Sequence, residues 1–164
     1  LGELCVAWER EALRAETLGV RVVVVRIGIV LGAGAGALAK LVPIFRLGVG
    51  GPLGFGRTWF PWIHVNDLTS LLLFAVDRDD LKGPVNAAAP GIVTNREFAR
   101  ELGRVLSRPA LFPVPYPILR VVAGEVAGAL VASQRVVPAR ALKAGFVFQH
   151  PELEPALRGL LGRG

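Results

Sequence analysis

The chain has 164 residues, of which 52% are hydrophobic and 20% are charged, so it can bury a core and is not intrinsically disordered. Its net charge of +6 would suit nucleic acid, but the arginines are scattered and no aromatic ladder is interleaved with them, which disfavours a nucleic-acid-binding domain. No stretch is long and apolar enough to span a bilayer, so we expect no membrane segment.

The first 31 residues predict a helix and then a buried strand. Helical spacing over residues 1–18 ends at Gly19, a helix stop. Residues 20–31 form a β-branched run, which is typical of a strand buried on both faces of a parallel sheet. The only cysteine, Cys5, lies on the helix, and we expect it to be a small buried apolar residue. A single cysteine excludes an internal disulfide and favours a cytoplasmic location.

The start of the chain suggests a fragment of a longer protein. Residue 1 is Leu, the chain contains no Met, and the helical pattern begins at once without a capping residue. We therefore expect that further elements precede residue 1.

Helical and extended patterns alternate over residues 32–106, which predicts an α/β fold. We expect Asn66 or Asp67 to cap one helix, and Thr94 with Glu97 to form a capping box on another. The predicted elements are a glycine-rich loop at 32–36, a helix at 37–47, a flexible loop at 48–56, a strand at 59–65, a helix at 68–76, a strand at 83–88 and a helix at 95–106.

The composition changes at Pro109, and a stiff proline-rich linker follows. We therefore predict one domain over residues 1–112 and a small, mainly helical domain over residues 113–164. In the second domain we expect a helix at 118–133, a helix or turn from Pro138 and a short helix from about Pro151.

Two patterns resemble catalytic or cofactor motifs but depart from them in spacing or in residue type. The glycines of residues 32–36 look like a dinucleotide fingerprint, but Gly36 comes one place early. The fingerprint also needs a carboxylate to bind the ribose about twenty positions on, and residues 17–66 contain none. Tyr116 and Arg120 have the spacing of a Tyr-x-x-x-Lys proton-transfer pair, but Arg replaces Lys and Tyr116 lies in the linker. We assign no catalytic residue.

The two histidines do not predict a metal site. His64 and His150 are far apart in the sequence, and neither has a second ligand at metal spacing. For His64 we favour a structural role, bonded to the backbone, over catalysis. For Asp67 we favour a helix cap.

The strand over residues 20–31 and the segment 62–68 together resemble the C-terminal half of extended and atypical short-chain dehydrogenase/reductases. The chain is most similar to the NAD(P)-binding, sugar-nucleotide epimerase-like group whose members carry a small helical C-terminal domain of unknown function. The resemblance covers nearly the whole chain, and the order and spacing of its motifs are fairly specific. These motifs are Trp8-Glu9, residues 45–48 with 50–51 and 53–54, Gly124-Glu125, residues 134–136 with Pro138, and residues 145–148 with Pro151.

This resemblance implies the later part of a Rossmann-like doubly wound parallel sheet with a small helical C-terminal subdomain. It implies NADP or NAD as cofactor, bound mainly by a half that would precede residue 1 together with the usual catalytic residues. Ligands lie beyond the carboxyl ends of parallel strands, and the resemblance places Ile27, Gly28, Ile29 and Val30 beside the nicotinamide ring. Gly28 would let the backbone approach a flat ring, and a bulge in a buried strand is the alternative.

The same resemblance implies that Arg57, Trp59 and Trp62 flank the substrate, although clustered aromatics also fit a plain core. Sugar-nucleotide epimerases commonly carry an Arg-Asp pair where this chain has Phe60 and Pro61. That departure argues against a nucleotide-sugar substrate.

We therefore predict a fragment of an NAD(P)-dependent nucleoside-diphosphate-sugar epimerase-like oxidoreductase, inactive alone and with no substrate assigned. The expected partners are a nicotinamide cofactor and a small-molecule substrate, and the resemblance allows a homodimer. The alternative is a non-catalytic interaction or regulatory protein that retains the fold, since some relatives carry a cell-division-inhibitor label. A basic nucleic-acid-binding domain is the least favoured interpretation.

Overall fold

The computed structural model describes residues 2–54, 56–111, 113 and 133–162. No helix in these ranges combines the length and the apolar composition that a membrane crossing requires. The elements in chain order are α1 (Gly2–Leu13), a 3₁₀ helix (Arg14–Leu18), β1 (Val23–Ile27), β2 (Ile29–Gly32), α2 (Gly36–Arg46), β3 (Trp59–Phe60), β4 (Trp62–His64), α3 (Val65–Asp77), β5 (Gly83–Ala87), β6 (Val93–Thr94), α4 (Asn95–Leu106), α5 (Ala139–Lys143) and α6 (Leu153–Leu160).

Parallel strands joined by helices form the centre of the fold and confirm the α/β prediction. β1 pairs in parallel with β5, and β2 pairs in parallel with β4. The short strands β3 and β6 pair antiparallel beside them. Parallel neighbours need a crossover connection, which the segment containing α2 provides between β2 and β4.

The prediction of one uninterrupted strand over residues 20–31 is wrong, because the chain changes partners at Gly28. The Gly28 N–H donates to the Ala87 carbonyl at 3.0 Å, and the next N–H, of Ile29, donates to the Pro61 carbonyl at 2.7 Å. A Cβ on Gly28 would stand 2.7 Å from the Pro61 oxygen. The chain thus leaves β5 and joins β4 at a point where only glycine fits.

The prediction that this run is buried on both faces is also wrong. The first three residues of β1 are half-buried, and Ile27 is 53% exposed. β1 has β5 on one edge, and no described strand pairs with its other edge. The helix α1 buries none of its residues, so Cys5, which we expected to be buried, is exposed.

Two apolar clusters form the core, and the C-terminal segment contributes to both. In one cluster α2, α4 and α6 pack around the aromatic residues of β3 and β4, and the rings of Phe60 and Phe98 stack at 4.0 Å. In the other, Phe146 and Phe148 pack with α3 and β5. Residues 141–157 therefore belong to the same packed body as the sheet, while the domain boundary at residue 112 stays a prediction.

Two helices, α3 and α4, begin with a side chain that bonds to the first turn. Thr94 and Glu97 form the predicted capping box: the Thr94 hydroxyl accepts the Glu97 N–H, and the Glu97 carboxylate accepts the Thr94 N–H at 2.6 Å. The prediction that Asn66 or Asp67 caps α3 is wrong, because α3 begins earlier, at Val65. Its cap is His64, whose Nδ1 accepts the Asn66 N–H at 3.1 Å.

The C-terminal helices are only partly described. A short helix follows Pro138, and α6 begins two residues after Pro151, as predicted. The predicted helix at 118–133 lies outside the described residues apart from Ser133, and so does Tyr116 with most of the linker.

Candidate functional site

The residues just before β3 are held against the start of α4. The Leu53 N–H donates to the Asn95 side-chain oxygen at 2.5 Å, and the Asn95 N–H donates to the Thr58 carbonyl at 2.8 Å. The Arg96 N–H donates to the Gly56 carbonyl at 3.1 Å. The end of the loop that we expected to be flexible is therefore fixed to a helix, and this fixes the position of the residues that follow.

The predicted cofactor residues lie at the junction of β1 and β2. Ile27 ends β1 with a half-exposed side chain, and Gly28 forms the junction itself. Ile29 and Val30 are partly buried and pack against different core clusters. Ile29 pairs with Trp62 across β2 and β4, so the predicted cofactor strand and the predicted substrate segment are direct neighbours. Contact between these four residues and a nicotinamide stays a prediction.

The predicted substrate residues differ in their exposure. Arg57 is exposed and Trp59 is partly exposed. Trp62 is only 1% exposed, and its indole N–H donates to the Gly91 carbonyl at 2.9 Å. Trp62 is therefore part of the core in this structure, whereas Arg57 and Trp59 reach the surface.

A second segment of the chain reaches Trp59 from residues 133–140. The Trp59 N–H donates to the Ser133 hydroxyl at 3.1 Å, and the guanidinium of Arg135 lies 5.5 Å from the centre of the indole ring. The segment continues along β5, where the Asn86 side-chain amide donates to the Val137 carbonyl at 3.0 Å. The sequence predicts no role for Arg135, which belongs only to one of the motifs that carry the family resemblance.

A buried polar cluster joins the start of α3 to residues 149–150. The Asp67 carboxylate is fully buried and accepts the N–H groups of Gln149 at 2.8 Å and His150 at 3.0 Å. The rings of His64 and His150 stack at 3.7 Å. The histidines that are far apart in sequence are therefore in contact, and Asp67 binds a distant segment of the chain.

His64 has the structural role that we expected, since its Nδ1 accepts a backbone N–H. Burial lowers the pKa of His64 from its ordinary value of 6.5, the charge of His150 lowers it further, and the charge of Asp67 opposes both. Because Nδ1 is an acceptor, the neutral ring carries its proton on Nε2. Among the described residues, no three His, Cys, Asp or Glu side chains come together to hold a metal ion.

The exposed side chains of Arg57 and Arg135 and the indole ring of Trp59 are suited to binding a ligand. Guanidinium groups donate hydrogen bonds to anions, and an indole ring offers a flat apolar face to a ligand. Parallel strands end beside them, where open α/β sheets bind ligands. This arrangement fits a ligand-binding wall rather than an acid–base pair.

Comparison with known proteins identifies the family that this chain is similar to. Residues 114–160 match the family described as a domain of unknown function, DUF1731. The chain is 44% identical, over 98% of its length, to the chloroplastic homolog of epimerase family protein SDR39U1 from Arabidopsis thaliana, and covers 46% of that protein.

Two crystal structures are also similar. Human epimerase family protein SDR39U1 (isoform 2), solved with NADPH, is 41% identical with a TM-score of 0.80; the match covers 88% of this chain and 49% of that one. A nucleoside-diphosphate sugar epimerase from Corynebacterium glutamicum is 30% identical with a TM-score of 0.75; the match covers 98% of this chain and 30% of that one.

The chain spans about half the length of the plant relative and of the human structure that it matches. Its similarity to these proteins extends along nearly all of its own residues, and its parallel strands and helices have the same arrangement. The chain therefore belongs to the epimerase family of extended short-chain dehydrogenase/reductases, and it corresponds to the C-terminal part of that family's members.

Proposed function

We propose that this chain forms the substrate side of an NAD(P)-dependent epimerase-like oxidoreductase. The observation that carries the proposal is the pairing of Ile29 with Trp62. This pairing brings the end of a parallel strand, where such folds bind their ligands, next to the segment that contains Arg57 and Trp59.

The cofactor would lie over the junction of β1 and β2, in contact with residues 27–30. The half-exposed side chain of Ile27 offers an apolar surface to a nicotinamide ring. The human relative was solved with NADPH, which favours NADP or NAD as the cofactor here. When bound, the nicotinamide supplies hydride exchange with a carbinol or carbonyl carbon.

The rest of the nucleotide-binding sheet would pack on α1 and on the edge of β1 that no described strand covers. The exposed apolar residues of this side form a surface suited to burial against another α/β unit. The Arg26 guanidinium forms two hydrogen bonds with the Glu9 carboxylate, at 2.7 and 2.6 Å, and these hold α1 against β1. The exposed apolar residues are Leu4, Val6, Trp8, Val20 and Ile27.

Substrate contact is assigned to the exposed residues of the candidate site. Arg57 and Trp59 would face the substrate directly, and Trp62 would support them from the core through its bond to Gly91. The substrate would be a small molecule. A cytoplasmic location and a homodimer stay predictions from the sequence.

Cofactor titration of the full-length protein tests this function. NADPH and NADH should each be titrated while the fluorescence of the dihydronicotinamide is followed, and we expect saturable binding of at least one. Replacing Ile27 by Gln should raise the dissociation constant about tenfold, because a polar amide replaces buried apolar contact with the ring. Val147→Gln is the control, since Val147 is 81% exposed and lies outside the site.

Circular dichroism of each variant shows whether it has kept its fold. If neither cofactor binds to the folded protein, the oxidoreductase proposal fails and a non-catalytic interaction protein becomes the better interpretation. Equal cofactor affinity in the Ile27 variant and the original protein would remove residues 27–30 from the cofactor site.

A further inference from the structure

We propose that Arg57 and Arg135 bind an anionic group of the substrate, a carboxylate or a phosphate, beside the ring of Trp59. The proposal rests on the proposed function, because it names the chemical class of that site's substrate. It also gives a binding role to a residue of the C-terminal domain, whose family description assigns no function.

The geometry at Trp59 holds the ring and one guanidinium together. The Trp59 backbone pairs with Thr94 of β6 and also donates to the Ser133 hydroxyl, so two separate segments fix its position. Arg135 lies two residues after Ser133, with its guanidinium 5.5 Å from the centre of the ring. A guanidinium that packs over a ring keeps the N–H donors in its own plane available to an acceptor.

The positive charge at this place is not neutralised by the described residues. No described carboxylate lies within ion-pairing distance of Arg57 or Arg135, and both side chains are exposed. The two stretches that meet at Trp59 also lack acidic residues: none occurs between Glu16 and Asp67, and none between Glu125 and Glu152. An anion of the ligand would supply the missing partner.

A second arginine over an aromatic ring shows what a purely structural pair looks like in this protein. The guanidinium of Arg78 lies 5.3 Å from the centre of the Phe74 ring, nearly the same separation as at Trp59. Its Nε and Nη2 groups donate to the two oxygens of the Asp80 carboxylate, each at 2.7 Å. Arg78 is therefore paired on its ring side and on its charged side, whereas Arg135 is paired on its ring side alone among the described residues.

The experiment is an anion titration of the full-length protein at constant ionic strength, with chloride as the balancing ion. Inorganic phosphate and acetate are the two probes, and tryptophan fluorescence is the readout. Trp59→Phe identifies which part of the signal comes from the site. Arg57→Gln and Arg135→Gln remove one charge each, Arg135→Lys keeps the charge without the planar donor group, and Arg78→Gln is the matched control.

We expect saturable binding of at least one probe, with a dissociation constant that rises about tenfold or more in Arg57→Gln and in Arg135→Gln. Arg135→Lys should fall between these variants and the original protein, and Arg78→Gln should match the original protein. Tighter binding of phosphate would identify a phosphoryl group on the substrate, and tighter binding of acetate would identify a carboxylate.

Two results would overturn the anion site: no saturable binding of either probe, or an unchanged dissociation constant in Arg135→Gln. An NADPH titration on the same samples separates this failure from failure of the proposed function. NADPH binding without anion binding removes the anion site and leaves the oxidoreductase. Anion binding without NADPH or NADH binding retains the anion site and removes the oxidoreductase.

Discussion

The carboxylate of Asp67 accepts the backbone N–H of His150 at 3.0 Å, across a sequence separation of 83 residues. Asp67 is completely buried on α3 and binds the N–H of Gln149 as well. Both oxygens of this buried carboxylate thus have a backbone N–H partner. This contact attaches the C-terminal segment to the element that follows the candidate site.

Asp67→Asn should lower the free energy of unfolding by about 2 kcal/mol, because the amide keeps one acceptor oxygen and presents N–H donors to the other backbone N–H. Urea unfolding measures this change. Asp79→Asn is the control, because the Asp79 side chain is fully exposed and its ion pair to Arg21 is long at 4.0 Å, so its replacement should leave stability nearly unchanged. Equal losses in the two variants would show that the Asp67 contacts do not stabilise the fold.

His64 should make the protein less stable as the pH falls. Its pKa is lowered in the folded state by burial, so below its ordinary value of 6.5 the unfolded chain binds a proton more readily than the folded one. The stability that the neutral ring contributes is present above that pH and is lost as the pH falls through the lower folded-state pKa. Protonation would also remove the Nδ1 acceptor that caps α3.

The matched variant for this effect is His64→Asn, which can still cap the helix but does not titrate. Urea unfolding between pH 7.5 and about 5 should show a smaller loss of stability in His64→Asn than in the original protein. Parallel pH profiles for the two proteins would contradict this account.

Gly28→Ala should destabilise the fold by about 1–3 kcal/mol, because the new Cβ would stand 2.7 Å from the Pro61 carbonyl oxygen, a backbone atom. Gly32→Ala is the control, since its Cβ would meet only side-chain atoms of Val65 at 3.8 and 3.9 Å. Thermal unfolding followed by circular dichroism compares the two. A Gly28 variant as stable as the Gly32 variant would show that the strand junction is more compliant than the structure indicates.

Thr94→Ala should cost about 1 kcal/mol, because α4 loses its capping box. The cap also bears on the candidate site, since Thr94 pairs with Trp59. Thr69→Ala is the control: its hydroxyl bonds back to the Val65 carbonyl within α3, an interaction that contributes little to helix stability. Urea unfolding should rank Thr94→Ala well below Thr69→Ala, and the reverse order would contradict the capping assignment.

Features with local signals could be predicted from the sequence. The capping box at Thr94, the helix stop at Gly19 and the α/β alternation each depend on a few neighbouring residues, and the structure shows all three. The contacts between the site residues have no such local signal. The contact of Arg135 with Trp59 and the stacking of His64 on His150 join segments more than seventy residues apart, which no local pattern encodes.

The valine run shows why a strong local signal can still mislead. A continuous apolar run predicts a strand, but it does not show how many partners the strand has or where it changes them. The change of partner at Gly28 depends on Pro61 and Ala87, which come from later parts of the chain. A lone glycine within the run was the only sequence sign of that close approach.

The edge of β1 that no described strand covers has a practical consequence for handling these residues by themselves. Backbone N–H and C=O groups on such an edge, together with the exposed side chain of Ile27, are a template for pairing with another chain. Residues 1–164 produced alone should therefore self-associate or precipitate as their concentration rises. Production together with a complementary α/β unit that covers this edge should keep them in solution.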